Sequence, residues 1–302
     1  MDLRDKIKDW SNETYGDMLV KRVASGRYGG GPEIDMVMRV LDAQNLNDKN
    51  MDGNSTMGLD KTEREVGKFQ YVNIFNVISQ VSDWCPLDMI YGTCFLAMRE
   101  PMVHEKAQQW GLSDEELISK MCGRALRALP SYLREHDLKL QLEKRIPNAK
   151  FVQNQALDTK LHADLLMRKD GKDYYFWSFV DTYKSIHNFK HKFFGYRQGE
   201  VPDGHHITCP FSLSRGQDIN GWKLYDGYSI NGIVRMFDRP YWSSYDHIEE
   251  KTKDKDSFFK HPKIIIKNDE RERSMSFKQN KQPNINHTQH DVDEMEQICR
   301  SR

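Results

Sequence analysis

The sequence predicts an α+β protein, with a helical N-terminal part followed by a mixed α/β part. Three observations lead there. Apolar residues recur at helical spacing through most of the first half, from Glu33 to Arg145. From Phe151 to Asp181 the pattern turns strand-like, with two apolar runs on either side of Asp170-Gly171-Lys172-Asp173. After Asp181, helical and strand-like segments alternate up to Phe237. Helices first and a mixed region second is an α+β or two-domain plan.

Residues 1–31 begin helical and end at Gly26 and the run Gly29-Gly30-Gly31-Pro32. Ile34, Val37, Met38, Val40 and Leu41 mark a helix over Glu33–Leu46. Asn47 to Asp60 is rich in Asn, Asp and Gly and reads as a loop. Helical spacing resumes from Thr62 to Gln80, and Pro86 opens another helix through Met98. Ser113, followed by Asp114, Glu115 and Glu116, is an N-cap with acids in the first turn, predicting a helix to about Arg127. Tyr132–Arg145 reads as a separate helix stopped before Pro147. Ser185–Tyr196 is basic, aromatic and helix-like. His206–Leu213 and Trp222–Ile230 read as strands, and Ile230–Phe237 as a closing helix.

The expected division is a helical region over 1–128, an α/β core over 129–248 and a polar, largely disordered tail over 249–302. In that tail only Ile264-Ile265-Ile266 has much to bury. A chain of 302 residues accommodates one large domain or two small ones. Lys+Arg and Asp+Glu each number 45, so the formal net charge is zero and any attraction to phosphate must be local. The five cysteines form no CxxC pair, which suits reduced thiols in a cytoplasmic setting. MDLRDKIKDW is charged from its second residue and is no signal peptide. The most apolar window, Val72–Met98, is interrupted by Asp83 and Asp88 and reads as buried helices, so no membrane partner is expected.

The chemistry concentrates in Asp164–Lys184. Tyr174–Val180 is almost wholly apolar, as a central strand covered on both faces would be. An ionised Asp181 at its end is costly to desolvate unless solvated, hydrogen-bonded or bound to a cation. Asp164 opens the preceding run. Carboxylates at the ends of adjacent strands, with Lys184 nearby, are a means of holding magnesium against a phosphodiester. Magnesium takes one or two protein carboxylates plus water and phosphate oxygens.

These residues are similar to the signature of the PD-(D/E)XK, or restriction-endonuclease-like, nuclease superfamily. That family has a mixed sheet flanked by helices, an acid on one strand and an acid-x-lysine motif on the next. The resemblance covers roughly residues 130–237 and leaves the first 110 residues unexplained. It implies a metal-dependent DNA endonuclease, a phosphodiester hydrolase using Mg²⁺ or Mn²⁺. Asp164 and Asp181 would be the metal ligands, and Lys184 would act on the attacking water or the developing charge. Glu135 and Glu143, on Tyr132–Arg145, are both candidates for the helix glutamate that many members carry. The family spaces acid and lysine two apart, on one face of a strand, whereas Asp181 and Lys184 are three apart. A bulge at Thr182, a lysine from elsewhere (Lys160 or Lys190), or a degenerate, non-catalytic core would account for that.

Thr182–Arg197 holds Lys184, Lys190, Lys192 and Arg197 with no acid, interleaved with aromatic rings, His187 and His191. Cations beside stackable rings suit a nucleic-acid surface, and the bland reading is an amphipathic helix with solvated lysines. The partner expected is therefore DNA. The N-terminal helices are candidates for a homodimer or partner-protein contact. Three weaker patterns are present. His187, His191, His205, His206 and Cys209 offer zinc ligands, but Asn188 replaces the glutamate of the metalloprotease form. Asp203-Gly204-His205-His206 with Asn220 faintly matches a histidine-metal nuclease finger. Asp48–Gly53 opens like a calcium loop whose twelfth position is Leu59 instead of glutamate.

Overall fold

Asp2 precedes the first helix and its carboxylate accepts from the Arg4 N–H at 3.4 Å, a long cap for a short helix, α1 (Leu3–Asp9). The computed structural model describes residues 2–10, 15–44, 69, 71–81, 83–161, 163–194, 202, 204–238 and 263–267. The calcium-loop pattern at 48–59 lies outside them, as do Arg197, Asp203, His162 and most of the tail. The described chain is mixed α and β, and it divides into two units, 1–140 with 214–226, and 141–213 with 227–302.

The first unit is mainly helical. It holds α1, α2 (Tyr15–Ala24), α3 (Pro32–Gln44), α4 (Tyr71–Ile78), α5 (Pro86–Ala97), α6 (Pro101–Trp110) and most of α7 (Asp114–Arg145). Proline opens α3, α5 and α6, where its missing N–H costs nothing. The Ser113 cap forms as its sequence predicts: Glu116 N–H donates to Ser113 Oγ at 3.2 Å, and Ser113 N–H donates back to Glu116 Oε2 at 2.8 Å. The two helices expected over 113–145 are one helix of 32 residues running through Pro130. Leu126, Leu129 and Leu133 are buried on both sides of the proline, and their continuous apolar stripe outweighs the lost backbone bond.

A small hairpin, β5 (Gln217–Ile219) and β6 (Trp222–Leu224), belongs to this helical unit. The Arg4 guanidinium binds both Asp137 oxygens at 3.0 and 2.9 Å, donates to the Tyr225 carbonyl at 2.6 Å and reaches Gln217. The Asn220 amide donates to the Ile7 carbonyl. Ile219, Trp222 and Leu224 join the apolar core of α1–α7. That anchoring is why the division departs from the 128/129 boundary expected from composition.

The second unit is built on a five-stranded mixed sheet, β1 (Lys150–Val152), β2 (Leu165–Lys169), β3 (Lys172–Val180), β4 (Gly204–Phe211) and β7 (Lys263–Lys267), in the order β1-β2-β3-β4-β7. β3 and β4 are parallel and the other pairs antiparallel. Asp170 (φ 52°) and Gly171 (φ 71°) make the two-residue β2–β3 turn, and positive φ at both central positions matches the strand twist. A short helix, α8 (Gln155–Lys160), interrupts the run read as strand-like, capped where the Asn154 side chain accepts from the Leu157 N–H at 2.9 Å. The parallel crossover from β3 to β4 carries α9 (Tyr183–Phe194), and α10 (Gly227–Asp238) follows the hairpin.

Strand alternation assigns the two faces. Tyr175, Trp177 and, partly buried, Phe179 pack with Ile186, Phe189 and Phe193 of α9. Tyr174 and Phe176 meet Phe237 of α10. Both faces of β3 are therefore covered, as its unbroken aromatic sequence predicts. Within the span expected to be a largely disordered tail, 263–267 form a strand paired with β4. Among the described residues no helix is long and apolar enough to cross a membrane.

Candidate nucleic-acid interface

Asp164 immediately precedes β2 and Asp181 immediately follows β3. Because the two strands are antiparallel, both acids stand at the same end of the sheet. Each continues the ladder by its backbone: Asp164 N–H donates to the Phe176 carbonyl at 2.9 Å, and Asp181 N–H donates to the Phe211 carbonyl at 2.8 Å. Asp164 Oδ2 also accepts from the Ser178 N–H at 2.5 Å. The carboxylate is half-buried and held by β3's own backbone, a use of Ser178 with no local sequence signal. Burial first, and then the Asp164 charge, raise the Cys209 thiol well above its usual range.

The register separates the two acids along the strand. Leu165 pairs with Phe176, so Asp164 stands opposite Trp177, and Asp181 lies four residues farther on. At a strand rise of about 3.3 Å per residue the offset is about 13 Å. Magnesium binds oxygens at about 2.1 Å, so two direct carboxylate ligands hold their oxygens within about 4 Å of each other. Among the described residues no group of three or more His, Cys, Asp or Glu side chains is placed to hold a metal.

Lys184 sits on a helix, just ahead of the helix expected over Ser185–Tyr196 and off the strand that the resemblance implies. β3 stops at Val180, and Thr182 caps α9: its carbonyl accepts from the Ile186 N–H at 2.9 Å and its hydroxyl from the Ser185 N–H at 3.4 Å. Lys184 is thus the second residue of α9, exposed, and no bulge at Thr182 aligns it with Asp181. The three-residue spacing is that of a strand end joined to a helix start. Of the two candidate glutamates, Glu143 belongs to the second unit and is exposed. Glu135 belongs to the first, where Ser131 Oγ donates to it at 3.3 Å.

α9 has two faces. Ile186, Phe189 and Phe193 are buried on the sheet, while Tyr183, Lys184 and His187 are exposed, with Lys190 half-buried. Tyr183 keeps 73% of its surface in solvent, and its ring stacks on His187 with centroids 6.3 Å apart. His191 and Lys192 continue the helix, and their side chains, like that of Lys160, lie outside the described set. The outer face therefore offers a cation and a stackable ring within one turn.

The zinc alternative meets a different chemistry at His206. This residue is fully buried, and both ring nitrogens are engaged, one with Trp177 and one with the Pro202 carbonyl at 2.8 Å. Cys209 is buried as a free thiol. In comparisons with protein-family models, curated proteins and solved structures, nothing matches this chain.

Proposed function

We propose that this chain binds nucleic acid, DNA by analogy, through the outer face of α9 and the adjoining sheet end. In this reading it is a non-catalytic binding or assembly protein on a degenerate restriction-endonuclease-like core. The observation that carries the reading is the β2–β3 register, which leaves Asp164 opposite Trp177 while Asp181 lies four residues on and Lys184 is already on a helix. The exposed Tyr183 and Lys184 supply a ring that stacks on a base and a charge that meets phosphates, with His187 beside them. A zero net charge makes such binding local, weak and salt-sensitive.

The test is fluorescence anisotropy of a labelled DNA oligomer, single-stranded and duplex, across a salt series. Wild type binds with a negative log–log salt slope, Lys184→Ala flattens that slope, and Tyr183→Ala weakens the single-strand complex by roughly 1–3 kcal/mol. Wild type that binds neither form at low salt overturns the reading.

A second reading, a metal-dependent DNA endonuclease, has one observation in its favour. Asp164, Asp181 and the first turn of α9 stand at the same end of the sheet.

A further inference from the structure

The first unit holds a cleft of about 320 Å³ whose lining includes Trp10, Met18, Lys21, Arg22, Arg27 and Asp83. That volume is at the lower end of small-ligand sites, near the size of a mononucleotide. The lining carries two guanidiniums, an ammonium and one carboxylate.

The two arginines are clamped between two aspartates of opposite exposure. On the inner side Asp88 is buried, accepts from the Cys85 N–H at 2.6 Å and from the Tyr28 hydroxyl, and lies 3.4 Å from Arg22 and 3.8 Å from Arg27. On the outer side Asp83 pairs with Arg27 at 2.5 Å and lies 3.9 Å from Arg22. Its side chain is 71% exposed. Arg22 is fixed further, its Nε donating to Cys85 Sγ at 2.9 Å. Arg22 is thus held by Asp88, by Cys85 and by the Asp83 main-chain carbonyl, while the carboxylate that Asp83 presents to Arg27 and Arg22 is exposed. The Asp83 carboxylate is open to solvent, which lowers the cost of exchanging it for another anion. The inner contacts keep Arg22 in position when the Asp83 carboxylate leaves.

We propose that this cleft binds a small phosphate monoester of nucleotide size, whose phosphate displaces Asp83 from Arg27 and Arg22 while Trp10 and Met18 contact the organic group. Planar guanidiniums match phosphate oxygens in pairs, and Lys21 adds a point charge. The site lies in the first unit and is independent of the nucleic-acid reading above.

The experiment is isothermal titration of the full chain with inorganic phosphate, adenosine monophosphate and ribose 5-phosphate at constant ionic strength. Asp83→Asn, Arg27→Gln and Lys21→Ala are run alongside, each checked by thermal melting. The expected result is saturable binding of adenosine monophosphate, tighter than inorganic phosphate because of the indole wall. Asp83→Asn tightens it several-fold, since the internal competitor is gone, and Arg27→Gln weakens it at least tenfold. Equal affinity for all three probes assigns the site to the phosphate alone and removes the role given to Trp10. No saturable binding by any probe, to wild type and to folded Asp83→Asn, overturns the proposal. Binding unchanged in folded Arg27→Gln and Lys21→Ala also overturns it.

Discussion

Trp177 Nε1–H donates to His206 Nδ1 at 3.0 Å, and this bond sets the imidazole tautomer. An indole nitrogen only donates, so Nδ1 must accept and the ring proton sits on Nε2, which donates to the Pro202 carbonyl at 2.8 Å. Both residues are buried beneath α9, where Phe193 meets each ring edge-on. Replacing His206 by Leu leaves a buried indole N–H and a carbonyl without this partner. The expected loss is about 1–3 kcal/mol in urea denaturation. Trp177→Phe in the same background should cost less than it does in wild type, and strictly additive losses would show that the bond carries no energy.

Arg4 and Asp137 pair through both carboxylate oxygens, with Asp137 only 1% exposed. Removing one partner of a buried pair strands the other charge, so Asp137→Ala is expected to cost about 3–5 kcal/mol. Asp137→Leu with Arg4→Met, which removes both charges, should recover much of that loss. Equal instability of the single and double variants in urea would contradict the assignment.

Gly92 in α5 faces Ile74 of α4, and a Cβ at Gly92 would lie 2.6 Å from Ile74 Cγ2. The glycine is required by this approach of two helices. Gly92→Ala should destabilise by about 1–3 kcal/mol through overpacking. Thermal melts of Gly92→Ala, Ile74→Ala and the double variant should show the double losing less than the sum of the singles, because truncating Ile74 makes room for the methyl.

Burial first, and then the Lys172 charge, hold the His205 imidazole below its ordinary value of 6.5. The unfolded chain therefore binds the proton more readily. His205 contributes stability that is present above pH 6.5 and is lost as pH falls from there through its lower folded value. Urea midpoints measured from about pH 7 down to about pH 5 should fall in wild type, and fall less in His205→Gln. A parallel fall in the two proteins would remove His205 as a cause.

The parts of the fold legible in the sequence are those written in local chemistry. The Ser113–Glu116 cap, Pro86 at the start of α5 and the Asp170-Gly171 turn each constrain neighbours a few residues apart, and each forms. The covering of β3 on both faces was legible from the aromatic run Tyr174–Val180, which suits a central strand. Long-range consequences were not legible. The continuity of α7 through Pro130 depends on packing along its whole apolar stripe, and the return of 214–226 to the helical unit depends on Arg4, more than 200 positions away. At the candidate site, the sequence placed Asp164 and Asp181 on neighbouring strand ends, and the structure has them there. What it could not supply was the register. Hairpin pairing counts outward from the turn, and that count sets Asp164 against Trp177 and Ser178 instead of Asp181.

The most direct test of the central claim is a cleavage and binding assay on supercoiled plasmid, linear duplex and single-stranded DNA. It is run with Mg²⁺, with Mn²⁺ and with EDTA, on wild type, Asp164→Ala and Asp181→Ala. The account predicts DNA that is bound but intact under every metal condition, with binding weakened by Lys184→Ala and not weakened by Asp181→Ala. Metal-dependent nicking or cutting that disappears in Asp164→Ala and Asp181→Ala would contradict it and establish the endonuclease.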